Sequence, residues 1–513
     1  MHWQLGFVWT CFALTSMAVA TRSSVADERP NILVILADDL GYGDVGCYNP
    51  ESKVPTPNLD RLATEGMRFT DAHSPSTVCT PSRYSLLTGR MCFRTGLRGV
   101  FTGVDGPLIE SGRLTLASFL RQQGYATACV GKWHVGMTFF QQDGKPVAPR
   151  GGDLKKVKQV DFTKPIADGP IDVGFDYFFG TACCPTTDWL YTYIENDRVV
   201  ESPSEIVKPE TNHWLQYEHF RSGLKAPGFD FRKVDTVFLE KSVKFLEDHV
   251  RDTPDNPFFL YHATQTAHLP ALPAKQFVGK TKAGPLGDFV YEFDFIVGAL
   301  METLRRLGVA NDTLVVVTSD NGPEIVITHM REEFGHDSAR PWRGMKRDNW
   351  EGGHRIPFIA RWPGKIKPDS ESNETICLTD IIATCAAIVD VALPSDAGED
   401  SFNILPMLLG KERSELQSIR PFTLHQTISN ALSIRRGDWK FLDHKGSGGN
   451  NYDNDRMRAY RLLDTEPDAP GQLYNLASDP GETHNLYNEH PDVVGQLKTL
   501  LEKSKSSGRS RLP

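Results

Sequence analysis

The stretch NILVILADD, residues 31–39, decides the fold. It is a short, continuous apolar run that ends in two acids. An unbroken run of this length predicts a strand covered on both faces, as in a parallel sheet, rather than one with a wet side. Working outward, PNLDRLATEG (57–66) reads as a helix, with Pro57 near its start and Gly66 near its end. The alternation then repeats. TLASFLRQQG (115–124) is helical, while YATACVGKW (125–133) and PFFLYHATQ (257–265) are strands. Residues 286–307 form a long helix, in which Phe289, Phe293, Ile296, Val297, Leu300, Leu304 and Leu307 recur at three- and four-residue spacing on one face. TLVVVTSDNG (313–322) and IPFIARW (356–362) are further strands. Strand and helix in alternation specify an α/β fold with a large, mostly parallel sheet sandwiched by helices.

Two regions differ. Residues 137–171 are polar, with lysines, glycines and little periodicity, and read as a surface excursion. Beyond about residue 410 the pattern changes to short strands such as WKFLDH (439–444), a Gly- and Asn-rich loop at 446–454 and a last helix around 491–504. The expected organisation is a leader and linker over 1–26, a main domain over 27–410, and a smaller α+β subdomain over 411–513.

The chain has 513 residues, 40% of them hydrophobic, enough for a sizeable core. Its formal net charge is -9, with no basic run or aromatic-basic stripe, which excludes nucleic acid as a partner. The opening MHWQLGFVWTCFALTSMAVA is apolar, uncharged and ends in Ala18-Val19-Ala20, the pattern of a signal peptide. Export follows, and no later stretch is long and apolar enough to span a bilayer. Of nine cysteines, Cys11 lies in this leader. The others show no metal-type CxxC pairing and are too sparse for a disulfide scaffold.

In open α/β sheets, ligands gather beyond the carboxyl ends of strands. Asp38 and Asp39 close the first strand, Lys132 and His134 follow the 125–133 strand, His268 follows 257–265, and Asp320 and Asn321 follow 313–319. Asp38, Asp39, Asp320 and Asn321 offer only oxygen, which suits a hard cation, Ca²⁺ or Mg²⁺. The competing role for these residues is helix capping and turn formation. Lys346 lies in the polar, Gly-rich RGMKRDNWEGG (343–353), and His354 reads as structural. In VCTPSRYSLLTGR (78–90), Pro81 suits the first helical position and Gly89 the end, which places Cys79 at or just before a helix N-terminus. Such an end stabilises anions, either a thiolate or an anionic substrate; a small buried hydrophobe or half a disulfide is the plainer alternative.

With these residues assembled, the chain resembles the type I sulfatases of the arylsulfatase and alkaline phosphatase superfamily. Cys79-Thr80-Pro81-Ser82-Arg83, with Leu87-Thr88-Gly89-Arg90, matches the CxPxR signature and its extension. Pro30-Asn31-Ile32 through Asp44 resembles the family's opening, Gly131-Lys132-Trp133-His134 its GKWH element, and Thr318 to Gly322 its second metal strand. The likeness covers about 29–400, with a terminal match at Gln472 to Leu476 and Asp479 to Glu482, and is nearest the arylsulfatase A and N-acetylgalactosamine-6-sulfatase group.

The resemblance implies an alkaline-phosphatase-like sheet and sulfate monoester hydrolysis. It further implies that Cys79 is oxidised to formylglycine by a formylglycine-generating enzyme, which displaces the thiolate reading. Asp38, Asp39, Asp320 and Asn321 would bind Ca²⁺, ahead of Mg²⁺. Arg83 would hold the aldehyde hydrate, Lys132 and Lys346 would neutralise sulfate oxygens, His268 would donate to the sulfate or leaving oxygen, and His134 would take the proton that lets a covalent sulfo-enzyme intermediate collapse. All ten positions match in residue type. A phosphate or phosphonate ester hydrolase of the same superfamily is the main alternative, although a two-metal site needs more ligands than these four. A non-catalytic, secreted carbohydrate-binding protein is the other. The implied substrate is a sulfated carbohydrate, met in the periplasm or outside the cell, or in a lysosome if the source is eukaryotic. Its specificity is expected from loops at 137–171, from Cys183 to Tyr193 and in 323–345, with Trp189 and Tyr191 read as core residues ahead of sugar-stacking ones.

Overall fold

The computed structural model describes Met1 and residues 29–208, 222–411, 419–455 and 457–511. The leader therefore lies outside the described residues.

A ten-stranded sheet organises the chain. In chain order its strands are β1 (Asn31–Ala37), β2 (Met67–Phe69), β3 (Ala126–Lys132), β4 (Tyr177–Thr181), β5 (Ile194–Glu195), β6 (Arg198–Val199), β7 (Phe258–Ala263), β8 (Thr313–Ser319), β9 (Phe358–Arg361) and β10 (Ser370–Ser372). Across the sheet the order is β10-β2-β9-β8-β1-β7-β3-β4-β5-β6. The central strands β8, β1, β7, β3 and β4 are parallel. The flanks turn antiparallel: β9 runs against both β8 and β2, and β5 against β4 and β6. The IPFIARW strand is thus present but reversed, which periodicity alone does not reveal.

Strand β1 feeds two cores. Ile32, Val34 and Leu36 point into the apolar cluster on one face, and Leu33, Ile35 and Ala37 into the cluster on the other. Period-two alternation in a strand buried on both sides explains why its sequence shows no polar alternation. The long helix runs Gly284–Arg306, and Phe289, Phe293, Ile296, Val297, Leu300 and Leu304 are all buried in the second cluster. Each such side chain contributes about 1.5–3 kcal/mol relative to exposure. Leu307 packs against the same cluster only in part.

The segment 137–171 is not wholly a surface excursion. Met137, Phe139, Val147, Val157 and Ile166 are buried in the first cluster, while lysines and glycines fill the positions between. A sparse apolar anchor inside a polar stretch leaves no periodicity to read.

A separate antiparallel sheet holds β11 (Thr423–Gln426), β12 (Leu432–Arg436), β13 (Trp439–Leu442) and β14 (Gln472–Asn475) in that order. Helix Pro491–Ser506 covers it through Val494, Leu497 and Leu501, and Met91 of the large unit joins the same apolar cluster.

Candidate functional site

Register places the site. Strand β1 pairs in parallel with β8, Ala37 beside Ser319, and with β7, Leu36 beside Ala263. Their carboxyl ends therefore lie side by side, and Asp38 and Asp39 meet Asp320 and Asn321. Asp39 N donates to Asp320 Oδ1 at 3.3 Å, and Asn321 Nδ2 donates to Asp39 Oδ1 at 2.6 Å. Asp38 Oδ1 and Asn321 Oδ1 are buried without a hydrogen-bond partner. Unpaired buried oxygens are costly, so a group of them converging is a binding feature.

The CTPSRYSLLT helix spans Cys79–Thr88, two residues earlier than Pro81 suggests, and Gly89 ends it at φ 65. A Cβ on Gly89 would meet Ile382 Cγ2 at 2.5 Å, so packing as well as left-handed backbone requires glycine there. Cys79 and Arg83 lie one turn apart on one face. The Arg83 Nε donates to Asp320 Oδ2 at 2.9 Å and Nη1 to the Lys132 carbonyl at 2.7 Å, while Nη2 lies 3.5 Å from Asp38 Oδ2. One guanidinium thereby joins the cysteine helix, both metal-type strand ends and the end of β3.

Gly131 precedes Lys132 at φ 123, and a Cβ there would sit 1.8 Å from the Ala263 carbonyl. Only glycine permits this approach, which delivers Lys132 Nζ to Asp38 Oδ2. Burial is the largest influence on Lys132 and opposes its charge, yet the neighbouring groups together, Asp38 foremost, hold the ammonium well above its ordinary value. Lys346 Nζ donates to Asp39 Oδ2 at 2.7 Å and lies 3.6 Å from Glu324. Burial again opposes its charge, and Asp39 raises its pKa. Lys346 is buried, not an exposed loop lysine. Asp38 is pushed up by burial and pulled further down by Lys132, His268 and Arg83, so its pKa lies below the usual carboxylate range. Asp320 is pushed up to about 8 by burial and by the Asp38 charge.

The two histidines have fixed tautomers. His134 Nε2 faces the Phe101 carbonyl at 2.9 Å, and His268 Nδ1 faces the Leu269 carbonyl at 2.6 Å. A carbonyl only accepts, so each of these nitrogens carries the proton. The free lone pairs are then Nδ1 of His134 and Nε2 of His268, and both turn towards the site. His268 Nε2 lies 3.9 Å from Asp39 Oδ2. Backbone geometry supports the arrangement: Asp39, His134 and Arg347 all adopt left-handed conformations, at φ 65, 59 and 80.

These groups line a cavity of about 500 Å³ that includes Cys79, His134, Cys184, His268 and Lys346. The size fits a small polar ligand. Of the loops expected at its rim, Cys184, Thr187 and Asp188 line it, as do Glu324 and Ile325, whereas no residue of 137–171 does. Tyr191 is fully buried beside Phe229 and Phe231, and Trp189 packs against the first core in part. Several lining residues carry no sequence signal of their own. Glu324 pairs with Arg347, its two oxygens facing Nη1 and Nη2, Asn450 comes from the Gly- and Asn-rich loop, and Phe101 lies outside every element the sequence predicts. Asn450 reaches in from the region of the small sheet, donating to the Lys346 carbonyl at 2.8 Å.

All ten candidate positions therefore lie around one cavity or directly behind it. The chain can hold a hard cation on oxygen, surround an anion with Lys132 and Lys346, and offer a nucleophile position at Cys79 with two imidazole lone pairs beside it.

Known proteins resemble the chain in sequence and fold. The Sulfatase family model matches residues 30–391. An N-acetylgalactosamine-6-O-sulfatase of Bacteroides thetaiotaomicron is 33% identical over 514 residues, covering 93% of this chain and 94% of its own. Human arylsulfatase A is 33% identical over 497 residues, covering 94% and 90%. A solved structure described under the metabolism of multiple glycosaminoglycans by Bacteroides thetaiotaomicron superposes with a TM-score of 0.76 at 31% identity, over 94% of this chain and all of the other. A sulfatase from Pseudoalteromonas sp. follows at 0.69 and 28%, over 94% and 92%. Fold, relatives and family model agree: this chain belongs to the sulfatase family and is a sulfuric ester hydrolase.

Proposed function

We propose that the chain hydrolyses sulfate monoesters on a sulfated carbohydrate at the Cys79 cavity, with Cys79 converted to formylglycine and Ca²⁺ on Asp38, Asp39, Asp320 and Asn321. The observation that carries the reading is the convergence of all these groups, with Asp38 Oδ1 and Asn321 Oδ1 left without partners. An all-oxygen set containing three carboxylates fits Ca²⁺. The ion would supply fixed positive charge at a sulfate oxygen. Formylglycine would supply an aldehyde hydrate, two hydroxyls on one carbon, where the thiol now stands.

The remaining chemistry belongs to the chain. Lys132 and Lys346, kept charged by Asp38 and Asp39, meet the sulfate oxygens; charge building on the leaving oxygen is stabilised by groups that need no rearrangement. Arg83 fixes the nucleophile's helix against the metal strands. His268 presents Nε2 towards the leaving side, donating there when protonated. His134 presents Nδ1, its tautomer held by Phe101, as the acceptor for a nucleophile proton. The relatives' names support a sulfated glycan as substrate, the CxPxR match at Cys79 to Arg83 supports maturation by a formylglycine-generating enzyme, and the leader pattern supports use outside the cytoplasm. Among the described residues no helix is long and apolar enough to cross a membrane.

Mass spectrometry of the peptide spanning Cys79, from protein coexpressed with a formylglycine-generating enzyme, tests this. The expected result is the mass of the aldehyde in place of the thiol, appearing together with sulfatase activity; activity with an unmodified thiol would overturn the mechanism.

A further inference from the structure

Cys184 stands where none of the assigned roles needs a thiol. Its sulfur lies 4.0 Å from His134 Nδ1 and 3.9 Å from His268 Nε2, the two lone pairs that the carbonyl bonds leave free. The Cys79 and Cys184 sulfurs and a ring nitrogen of His134 all lie within 4.8 Å of one another. All four residues line the same cavity. Two sulfurs and the His134 nitrogen thus face a common point, with His268 Nε2 against the Cys184 sulfur, a soft donor set beside the all-oxygen set of Asp38, Asp39, Asp320 and Asn321.

We infer that the unconverted chain binds a thiophilic dication of the Zn²⁺ class through Cys79, Cys184 and His134, with solvent in the fourth position. Three features beyond proximity support the site. Two cysteines and one histidine, with water completing the tetrahedron, are a standard environment for this ion. Metal-bound histidines usually donate their second N–H to a carbonyl or carboxylate, and here the Phe101 carbonyl already takes that proton from His134. Two thiolates neutralise the ion's charge. Hardness sorts the ions: calcium has no affinity for sulfur, and zinc prefers it to carboxylate. Binding releases one proton from each thiol to solvent and involves no oxidation. The inference goes beyond the formylglycine reading and concerns the state before it. Once Cys79 loses its sulfur the set is short of one donor, so conversion and zinc exclude each other.

The test uses the full chain made without a formylglycine-generating enzyme, with the state of Cys79 recorded by mass, kept in excess Ca²⁺ so that the oxygen site is occupied. Zn²⁺ is added, excess is removed by desalting, and metal is counted by elemental mass spectrometry; a parallel sample takes Co²⁺ for absorption spectra. The expected result is one zinc per chain, and a cobalt form with tetrahedral visible bands and a near-ultraviolet thiolate charge-transfer band. Cys184→Ser and Cys79→Ser should each lose the retained zinc and weaken that band, while unchanged thermal melting in Ca²⁺ shows that they fold. A wild-type cobalt form without the thiolate band, or zinc retained equally by Cys184→Ser, would overturn the proposal. Because this preparation contains no formylglycine, neither outcome bears on whether the converted chain hydrolyses sulfate.

Discussion

Two buried clusters of charge occupy this molecule, and they are finished differently. At the cavity, Asp38 Oδ1 and Asn321 Oδ1 are left without hydrogen-bond partners beside Lys132, Lys346 and Arg83, while Asp39 and Asp320 are paired. Where the small sheet meets the large one, the charges are matched among themselves. Asp71 lies 2.9 Å from Arg355 and 2.6 Å from Arg435, Glu351 takes Arg355 at 2.8 Å and Lys440 at 3.0 Å, and Glu482 takes Lys440 at 2.9 Å. Three neutral-leaning histidines, His73, His354 and His425, fill the remaining space, with the His354 and His425 rings stacked 3.7 Å apart. The first cluster is open to a ligand and incomplete without one. The second is closed and complete, a polar seam between two sheets. Charge burial alone does not mark a functional site; unmatched donors and acceptors facing a cavity do.

Removing Lys440 breaks the closed cluster most severely. Glu482 is already pushed up to about 7 by burial against the pull of Lys440, and Glu351 depends on the same ammonium. Lys440→Met should cost about 3–5 kcal/mol of stability, as removal of one partner from a buried pair does. Denaturant unfolding measures it, and activity per folded molecule should hold.

At the open cluster the order reverses. Asn321→Ala removes one neutral oxygen and no charge, so melting should move little. Sulfate ester hydrolysis should fall on the order of 100-fold at low Ca²⁺ and recover in part as Ca²⁺ is raised. Steady-state rates across a Ca²⁺ series check this; a loss of stability without a calcium-dependent loss of rate would make the two clusters alike.

The smallest effect is on pH dependence. Burial, reinforced by Lys440 at His354 and by His354 at His425, lowers both histidines well below their ordinary value, and burial also lowers His73. The unfolded chain takes up protons at these rings below about pH 6.5 while the folded chain does not. Stability is therefore full above that pH and falls as acid is added, by about 1.4 kcal/mol per pH unit for each excluded proton. His425→Gln should remove about one proton from that slope, measured by denaturant unfolding between pH 7 and 5.

The same contrast explains what was legible in the sequence. NILVILADD and TLVVVTSDNG announced buried strands because burial on both faces leaves an unbroken apolar run, and their terminal acids were visible as strand-end residues. Pro81 and Gly89 predict the cysteine helix and the strand-end rule marks Lys132 and His134, but their roles come from family likeness; spacing alone leaves Cys79 open between thiolate, hydrophobe and disulfide. The reversed direction of Phe358–Arg361 was hidden, since a strand reads the same both ways. Glu324, Arg347 and Asn450 were hidden too, because ordinary loop composition does not say which polar residue turns inward. His73 and His425, far apart in sequence, meet only through the docking of the small sheet, which no local pattern encodes.

Asp39, His134 and Arg347 hold left-handed backbone without being glycine. Two of them carry reactive groups, and the third follows Lys346. The aim of these groups is set by main-chain turns, not by rotamer choice. Anyone transplanting this centre into another scaffold would have to carry the three turns across, since grafting the side chains onto regular strand ends would point them elsewhere.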